Sequence, residues 1–246
     1  DIVREAVAAK QKLGVVPQEL AVYEDLDARS NLRFFGAIYG LSGADLDRRV
    51  GDVLSRIGLA DRSKEPVKNF SGGMKRRLNF GCGIVHGPKV ILLDEPTVGV
   101  DPQSRARLLD LVRELATEGA AVVYTTHYME EAESLCDRVA IVDHGKLLVA
   151  GTLGELRQRL GGRELVRLTG RFDPQAVRAA FAGEREIEIV QCDQSVVLLS
   201  QQGASSKLAA LLERVARTGA ELRDTTVRQP SLESLFLELT GRELRE

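Results

Sequence analysis

The 246-residue sequence predicts an α/β fold built on a parallel sheet, followed by a second, smaller α+β unit. Three observations lead there. From Lys89 to Gly151, short apolar runs alternate with segments of helical periodicity, the pattern of parallel strands joined by crossover helices and covered on both faces. From Val22 to Gly87 the periodicity is mostly helical. After Thr152 the order of predicted elements becomes β-α-β-β-α-β, that of a small ferredoxin-like unit.

Each element has a local reason. Leu13–Val16 reads as a strand ending at Pro17-Gln18, after a short amphipathic piece. Asp25 or Asp27 is placed to cap a helix over Leu26–Tyr39, with Leu32, Phe35, Ile38 and Tyr39 in phase. Ser42 is placed to cap Asp45–Ile57, which Gly58 ends. Ser71 is a good N-cap for Met74–Val85. Val90–Leu93 is a strand, Pro102 starts a helix that Gly119 stops, and Ala121–Thr125 is a strand before a helix over Met129–Leu135. Arg138–Val142 and Leu147–Ala150 are strands joined at His144-Gly145. Beyond them come a helix at Leu153–Leu160 and a linker at Gly161-Gly162. The small unit follows: strands at Leu165–Leu168, Ile187–Cys192, Val196–Ser200 and Glu221–Val227, helices at Gln175–Phe181 and Lys207–Arg217. Pro230 breaks the chain, and Ser231 caps a last helix with Leu232, Leu235, Phe236 and Leu239 on its stripe.

Composition excludes several function classes. A net charge of −2 gives no basic field for nucleic acid, and the absence of Trp leaves few stacking platforms for single strands. The three cysteines have no metal-ligand spacing and read as reduced packing residues. The longest apolar runs are strand length, far short of the roughly 20 residues of a membrane helix, so any membrane role is expected to run through a separate partner.

The chemistry concentrates between Asn69 and Asp101. Ser71-Gly72-Gly73 opens a helix, and free N–H groups at a helix start bind anions, with glycine allowing close approach. Taken alone, the tripeptide also reads as an ordinary capped helix, and Lys75, Arg76 and Arg77 as a solvated face. Gly81 and Gly83 inside that helix predict a second backbone packed close by. Val90-Ile-Leu-Leu-Asp94-Glu95 is an apolar strand ending in two carboxylates, and ligands of parallel sheets bind beyond such strand ends. One carboxylate can hold Mg²⁺ and the next orient or deprotonate a water. His127 and Gln18 follow two other strands, and Asp101 precedes a helix-starting proline.

In order and spacing, these elements resemble the nucleotide-binding domain of ATP-binding cassette (ABC) transporters. Gln18 matches the Q-loop, Phe70–Met74 the signature motif, Ile91–Glu95 the Walker B strand, Val98–Asp101 the D-loop and His127 the H-loop. The ending from Pro230 to Thr240 is similar to the ABC-2 exporter subgroup. The resemblance implies a P-loop NTPase (RecA-like) sheet in an ATPase domain over residues 1–151, with a helical subdomain at about 22–87 facing a membrane permease subunit. Residues 152–246 form the accessory domain. It further implies ATP and Mg²⁺ as ligands, with Glu95 as catalytic base, Gln18 and Asp94 as Mg²⁺ partners, and His127 as the γ-phosphate contact. Ser71, Gly72, Gly73 and Asp101 would serve nucleotide at the junction with a second nucleotide-binding subunit. The implied location is cytoplasmic, peripheral at the inner face of the membrane.

The sequence departs from the family in one respect. The P-loop pattern G-x-x-x-x-G-K-[ST] does not occur: in the lone Gly-Lys pair, Gly145-Lys146, Leu147 follows and Ala140 stands where the first glycine belongs. A fragment lacking its start is expected, inactive toward ATP alone. Because Val90–Leu93 and Ala121–Thr125 are expected to flank a P-loop strand, uncovered strand edges and apolar faces are expected too. Two alternatives remain: a non-catalytic signature-donating module completing a partner's ATP site, and a soluble non-transport ABC ATPase.

Overall fold

The computed structural model describes residues 3–159, 163–184, 186–228 and 231–240. Packing divides the chain into two units, Asp1–Leu135 and Cys136–Glu246.

The first unit runs α1 (Ala6–Gln11), β1 (Leu13–Val16), α2 (Ala28–Ile38), α3 (Gly43–Arg56), α4 (Gly72–Ile84), β2 (Val90–Asp94), α5 (Pro102–Thr117), β3 (Ala121–Thr125) and α6 (Met129–Leu135). Its sheet is parallel, in the order β1-β2-β3. The register aligns Leu13 with Val90 and Ala121, and Val16 with Leu93 and Tyr124. β2 and β3 are thus direct neighbours, with no gap between them for a further strand. The free edges belong to β1 and β3. The sheet is also covered on one face rather than two. Val16, Ile91 and Leu93 enter the core with α4 and α5, while Val15, Val90 and Val123 on the opposite face are 47%, 37% and 54% exposed. The period of two in a strand turns alternate residues outward.

Asp27, not Asp25, caps α2: its Oδ1 accepts from Ser30 N at 2.6 Å. The buried stripe of α2 is Ala28, Asn31, Leu32 and Gly36, so Ile38 is 62% exposed instead of core. Ser42 takes the N-cap position of α3 without a side-chain cap bond. α4 is buried nearly all round, through Gly73, Met74, Leu78, Asn79, Phe80, Gly81, Cys82, Gly83 and Ile84, as befits a central helix. Burial pushes the Cys82 thiol well above its ordinary range, as expected of an inert packing cysteine. The glycine expectation holds for Gly83, where a Cβ would lie 2.9 Å from the Val15 carbonyl oxygen. Gly81 instead faces side chains, those of Ile57, Val53 and Leu32.

Beyond the end of α4, the His86 ring stacks on Tyr39 with centroids 3.6 Å apart and planes 3° from parallel. Its Nε2–H donates to the Leu13 carbonyl at 3.1 Å, and its buried Nδ1 has no hydrogen-bond partner among the described residues. Burial, with a further push from the Arg49 cation, holds its pKa below the usual histidine value. The unfolded chain therefore takes up a proton here at a pH where the folded chain does not, so stability falls as pH drops through about 6.5. Comparing urea midpoints at pH 7.5 and 5.5, His86→Phe is expected to lose less stability on acidification than the wild type.

The second unit runs β4 (Arg138–Asp143), β5 (Lys146–Thr152), α7 (Leu153–Arg159), β6 (Arg163–Arg171), α8 (Pro174–Ala180), β7 (Ile187–Cys192), β8 (Val196–Gln202), α9 (Ala204–Ala216), β9 (Glu221–Arg228) and α10 (Leu232–Thr240). β4 and β5 form their own antiparallel pair, not part of the parallel sheet. Their turn has positive φ at His144 (47°) and Gly145 (74°), as a two-residue hairpin loop requires. β5 leads straight into α7 through a capping box, Thr152 N to Glu155 Oε2 at 2.7 Å and Glu155 N to Thr152 Oγ1 at 3.2 Å. This explains why the packing boundary precedes Cys136 although the sequence changes texture at Thr152. The remaining sheet is antiparallel, ordered β7-β8-β6-β9, and buries Val166, Leu168, Val197 and Leu199 against Val177, Leu211 and Val215. α9 starts earlier than expected, at Ala204, because Glu164 Oε2 accepts from Ser205 N at 2.5 Å. Ser231 caps α10 through Ser234 N at 3.2 Å. The helix buries Leu232, Leu235 and Leu237, whereas Leu239 is exposed. The expected linker Gly161-Gly162 and the break at Pro230 lie outside the described residues.

Candidate active site

The carboxyl ends of the three parallel strands converge. β2 ends in Asp94 and Glu95, with Gln18 beyond β1 on one side and His127 beyond β3 on the other. Gln18 Nε2 donates to Glu95 Oε2 at 3.1 Å, and His127 Nδ1 lies 3.3 Å from Glu95 Oε1. Glu95 has φ +43°, a conformation that costs a non-glycine residue about 1–3 kcal/mol. Its N–H holds that turn by donating to both the carbonyl oxygen and Oγ1 of Thr125, at 3.2 and 3.1 Å. The Thr125 hydroxyl donates onward to Asp94 Oδ1 at 2.6 Å. One carboxylate is thereby aimed between an amide and an imidazole, at the edge where open parallel sheets bind ligands.

Asp94 Oδ2 and Gln18 Oε1 take no hydrogen bond from any described residue. They are hard oxygen donors beside Glu95, a set that fits Mg²⁺ with most of its shell left as water. Among the described residues, no group of three or more His, Cys, Asp or Glu side chains forms a metal cage.

Ser71 caps α4, accepting from Met74 N at 3.3 Å. Ser71 and Gly72 are exposed, and a Cβ on Gly72 would meet nothing within 4 Å. Gly73 is buried, and a Cβ there would lie 2.6 Å from Asp101 Oδ2 and overlap Ser104 Oγ. Asp101 in turn caps α5 through Ser104 N at 2.9 Å; those hydrogen bonds hold its carboxyl below the usual range. No hydrogen bond joins Ser71, Gly72 or Gly73 to Asp94, Glu95 or His127 among the described residues.

Several residues around the site escape sequence reasoning. Lys75, Arg76 and Arg77 do not form a solvated face. Lys75 pairs with Glu24 at 2.6 Å. Arg77 donates to the Ile57 and Gly58 carbonyls at 2.7 and 3.2 Å, closing the C-terminal end of α3. Arg76 donates to the Gln18 carbonyl and, at 3.2 Å, to that of Val98. Burial lowers the pKa values of both arginines. Asn79 brackets the Gln18 loop, accepting from Ala21 N at 2.9 Å and donating to the Pro17 carbonyl at 3.2 Å. Asn31 does the same for Tyr23. A buried asparagine next to a predicted strand-end loop is a weak signal, visible only once the helix and the loop are known to touch.

The sequence profile of the ABC transporter family matches residues 2–98. The chain is similar to the Linearmycin resistance ATP-binding protein LnrL of Bacillus subtilis, 41% identical over 99% of this chain and 79% of that protein. It is 34% identical to the Daunorubicin resistance ATP-binding protein DrrA3 of Streptomyces coeruleorubidus, over 100% of this chain and 77% of that one. The Nod factor export ATP-binding protein I of Sinorhizobium fredii is also 34% identical, over 97% of this chain and 67% of its own length. A solved structure of an ATP binding subunit of an ABC transporter superposes with a TM-score of 0.58 at 29% identity, covering 65% of this chain and 67% of that one. With identity of 41% sustained over 79% of a relative's length, on top of the family profile, the chain belongs to the ABC transporter family of ATP-binding proteins.

Proposed function

We propose that this chain is the ATP-binding subunit of an ABC-2 type exporter, coupling ATP hydrolysis to efflux through a separate permease. The observation that carries the reading is Glu95 held between Gln18 and His127 at the edge of a parallel sheet. In this reading Glu95 takes the proton of the attacking water, His127 contacts the γ-phosphate, and Asp94 and Gln18 offer oxygens to Mg²⁺. Ser71, Gly72 and Gly73, with Asp101 behind them, close on nucleotide held by a second nucleotide-binding subunit; the open space over Gly72 supports this. Residues 1–151 are the ATPase domain and 152–246 a ferredoxin-like accessory domain.

The permease reading is supported by exposed apolar side chains on α2 and the loop before it. Tyr23 (49%) and Phe34 (42%) meet edge-to-face at 5.0 Å, with Leu20, Leu26 and Ile38 also exposed. No helix among the described residues is long and apolar enough to cross a membrane. The proposed location is peripheral, at the inner face of the cell membrane, as the family resemblance implies. The 246 residues contain no G-x-x-x-x-G-K-[ST], so they are proposed to be inactive alone and to need a phosphate cradle from outside them. The same exposure of Ser71 and Gly72 fits a second reading, a module that only donates its signature to a partner's ATP.

The test is to isolate the protein with its membrane partner from gently solubilised membranes and to measure MgATP hydrolysis with wild-type Glu95 and with Glu95→Gln. An integral membrane partner and hydrolysis lost in the variant are expected. Hydrolysis untouched by Glu95→Gln would leave the signature-donating reading.

A further inference from the structure

Glu131, on α6, is 1% exposed. A carboxylate so far from water must be matched by donors, and four converge on it. Oε1 accepts from Thr97 Oγ1 and Arg105 Nε, both at 2.7 Å. Oε2 accepts from the Tyr124 hydroxyl at 2.8 Å and Thr126 Oγ1 at 2.9 Å. Burial pushes the Tyr124 phenol above its ordinary pKa, so it remains a donor. The four donors come from different parts of the site. Thr97 lies in the loop that carries Glu95. Thr126 precedes His127. Arg105 stands one turn into α5, its N–H donating to the Asp101 carbonyl at 2.9 Å. Its guanidinium also lies 4.4 Å above the ring of Tyr128, which packs on His127 with centroids 4.2 Å apart.

We propose that Glu131 is a positioning residue: one buried carboxylate ties together the Glu95 loop, the His127 segment and the helix that follows Asp101, and so sets the spacing between Glu95 and His127. The proposal rests on the reading of those two residues as the hydrolytic pair. Glu131→Gln keeps the side chain's shape but leaves one oxygen for four donors. Arg105 retains that oxygen, and the new NH₂ faces Tyr124 and Thr126. The Thr126 hydroxyl, which also accepts from Tyr128 N at 2.9 Å, can no longer donate to residue 131 and must turn to accept from it, so a charge-assisted bond to the His127 segment is replaced by a weaker one.

Two readouts separate positioning from plain stabilisation. In the labelled full-length chain, the His127 Hε1 resonance is expected to shift in Glu131→Gln in the direction it shifts in Glu95→Gln, with the His86 and His144 signals unmoved. In the complex with the membrane partner, kcat per folded site is expected to fall about 10²-fold with KM for MgATP unchanged, the loss typical of a misplacement near 1 Å. Thr97→Val removes a single donor and preserves packing, so it decides the matter if Glu131→Gln does not fold, with the same two changes expected. Folded variants with unchanged kcat and an unmoved His127 signal would overturn the positioning role while leaving Glu95 in place. Hydrolysis indifferent to Glu95→Gln would instead overturn the reading on which it rests.

Discussion

Replacing Gly14 or Gly83 by alanine is expected to destabilise the first unit by about 1–3 kcal/mol or more, the cost of forcing atoms into a packed core. At an unconstrained site the same change stabilises by about 0.4–1 kcal/mol, through the unfolded chain, so the sign itself is diagnostic. A Cβ on Gly14 would overlap the Gly83 carbonyl oxygen and lie 2.7 Å from Pro88 Cγ. A Cβ on Gly83 would lie 2.5 Å from Val16 Cγ2 and 2.9 Å from the Val15 carbonyl. The contacts with the Gly83 and Val15 carbonyls are backbone approaches of β1 and α4, and no rotamer change relieves them. They set the height at which the helix bearing Ser71 rides on the strand that leads to Gln18. Gly72→Ala is the control, since its Cβ meets nothing and should leave the urea midpoint unchanged or slightly raised. Midpoints for Gly14→Ala and Gly83→Ala equal to that of Gly72→Ala would contradict this packing.

Much of this arrangement is legible in the residues because it rests on local chemistry. Asp27, Ser71, Asp101 and Ser231 each cap the helix that follows them, as their side chains and positions allow. The run Val90–Leu93 is a strand with carboxylates at its end, and His144-Gly145 turns a hairpin. What escaped depends on contacts between distant segments. Strand order is not legible: β2 and β3 pair directly instead of flanking a further strand, and nothing in either strand's composition identifies its neighbour. Arg76, Arg77 and Lys75 look like surface charges because their acceptors are carbonyls and a carboxylate supplied by other elements. Glu131 sits in an acidic helix start, Met129-Glu-Glu-Ala132, where a solvated face is the natural reading. Its burial follows from Thr97, Arg105, Tyr124 and Thr126 closing on it.

Glu95→Gln carries the largest expected effect on activity. The amide preserves the size of the side chain and its reach toward Gln18 and His127, 3.1 and 3.3 Å away in the native chain. It removes the capacity to take a proton. Asp94 is poorly placed to substitute, because it ends β2 and one of its oxygens is committed to the Thr125 hydroxyl at 2.6 Å. Losing a positioned general base typically slows a reaction about 10²–10⁴-fold. The residues offered to Mg²⁺ are untouched, and the phosphate cradle lies outside these residues, so nucleotide binding by the complex should persist. The decisive measurement is therefore MgATP turnover by the complex as isolated from membranes, with the phosphate cradle present beside this chain and its membrane partner, wild type against Glu95→Gln, with MgATP binding recorded on the same samples. A loss of about 10²–10⁴-fold in turnover with binding retained is the predicted result; equal turnover in the two would contradict the assignment of Glu95, and with it the site assembled around it.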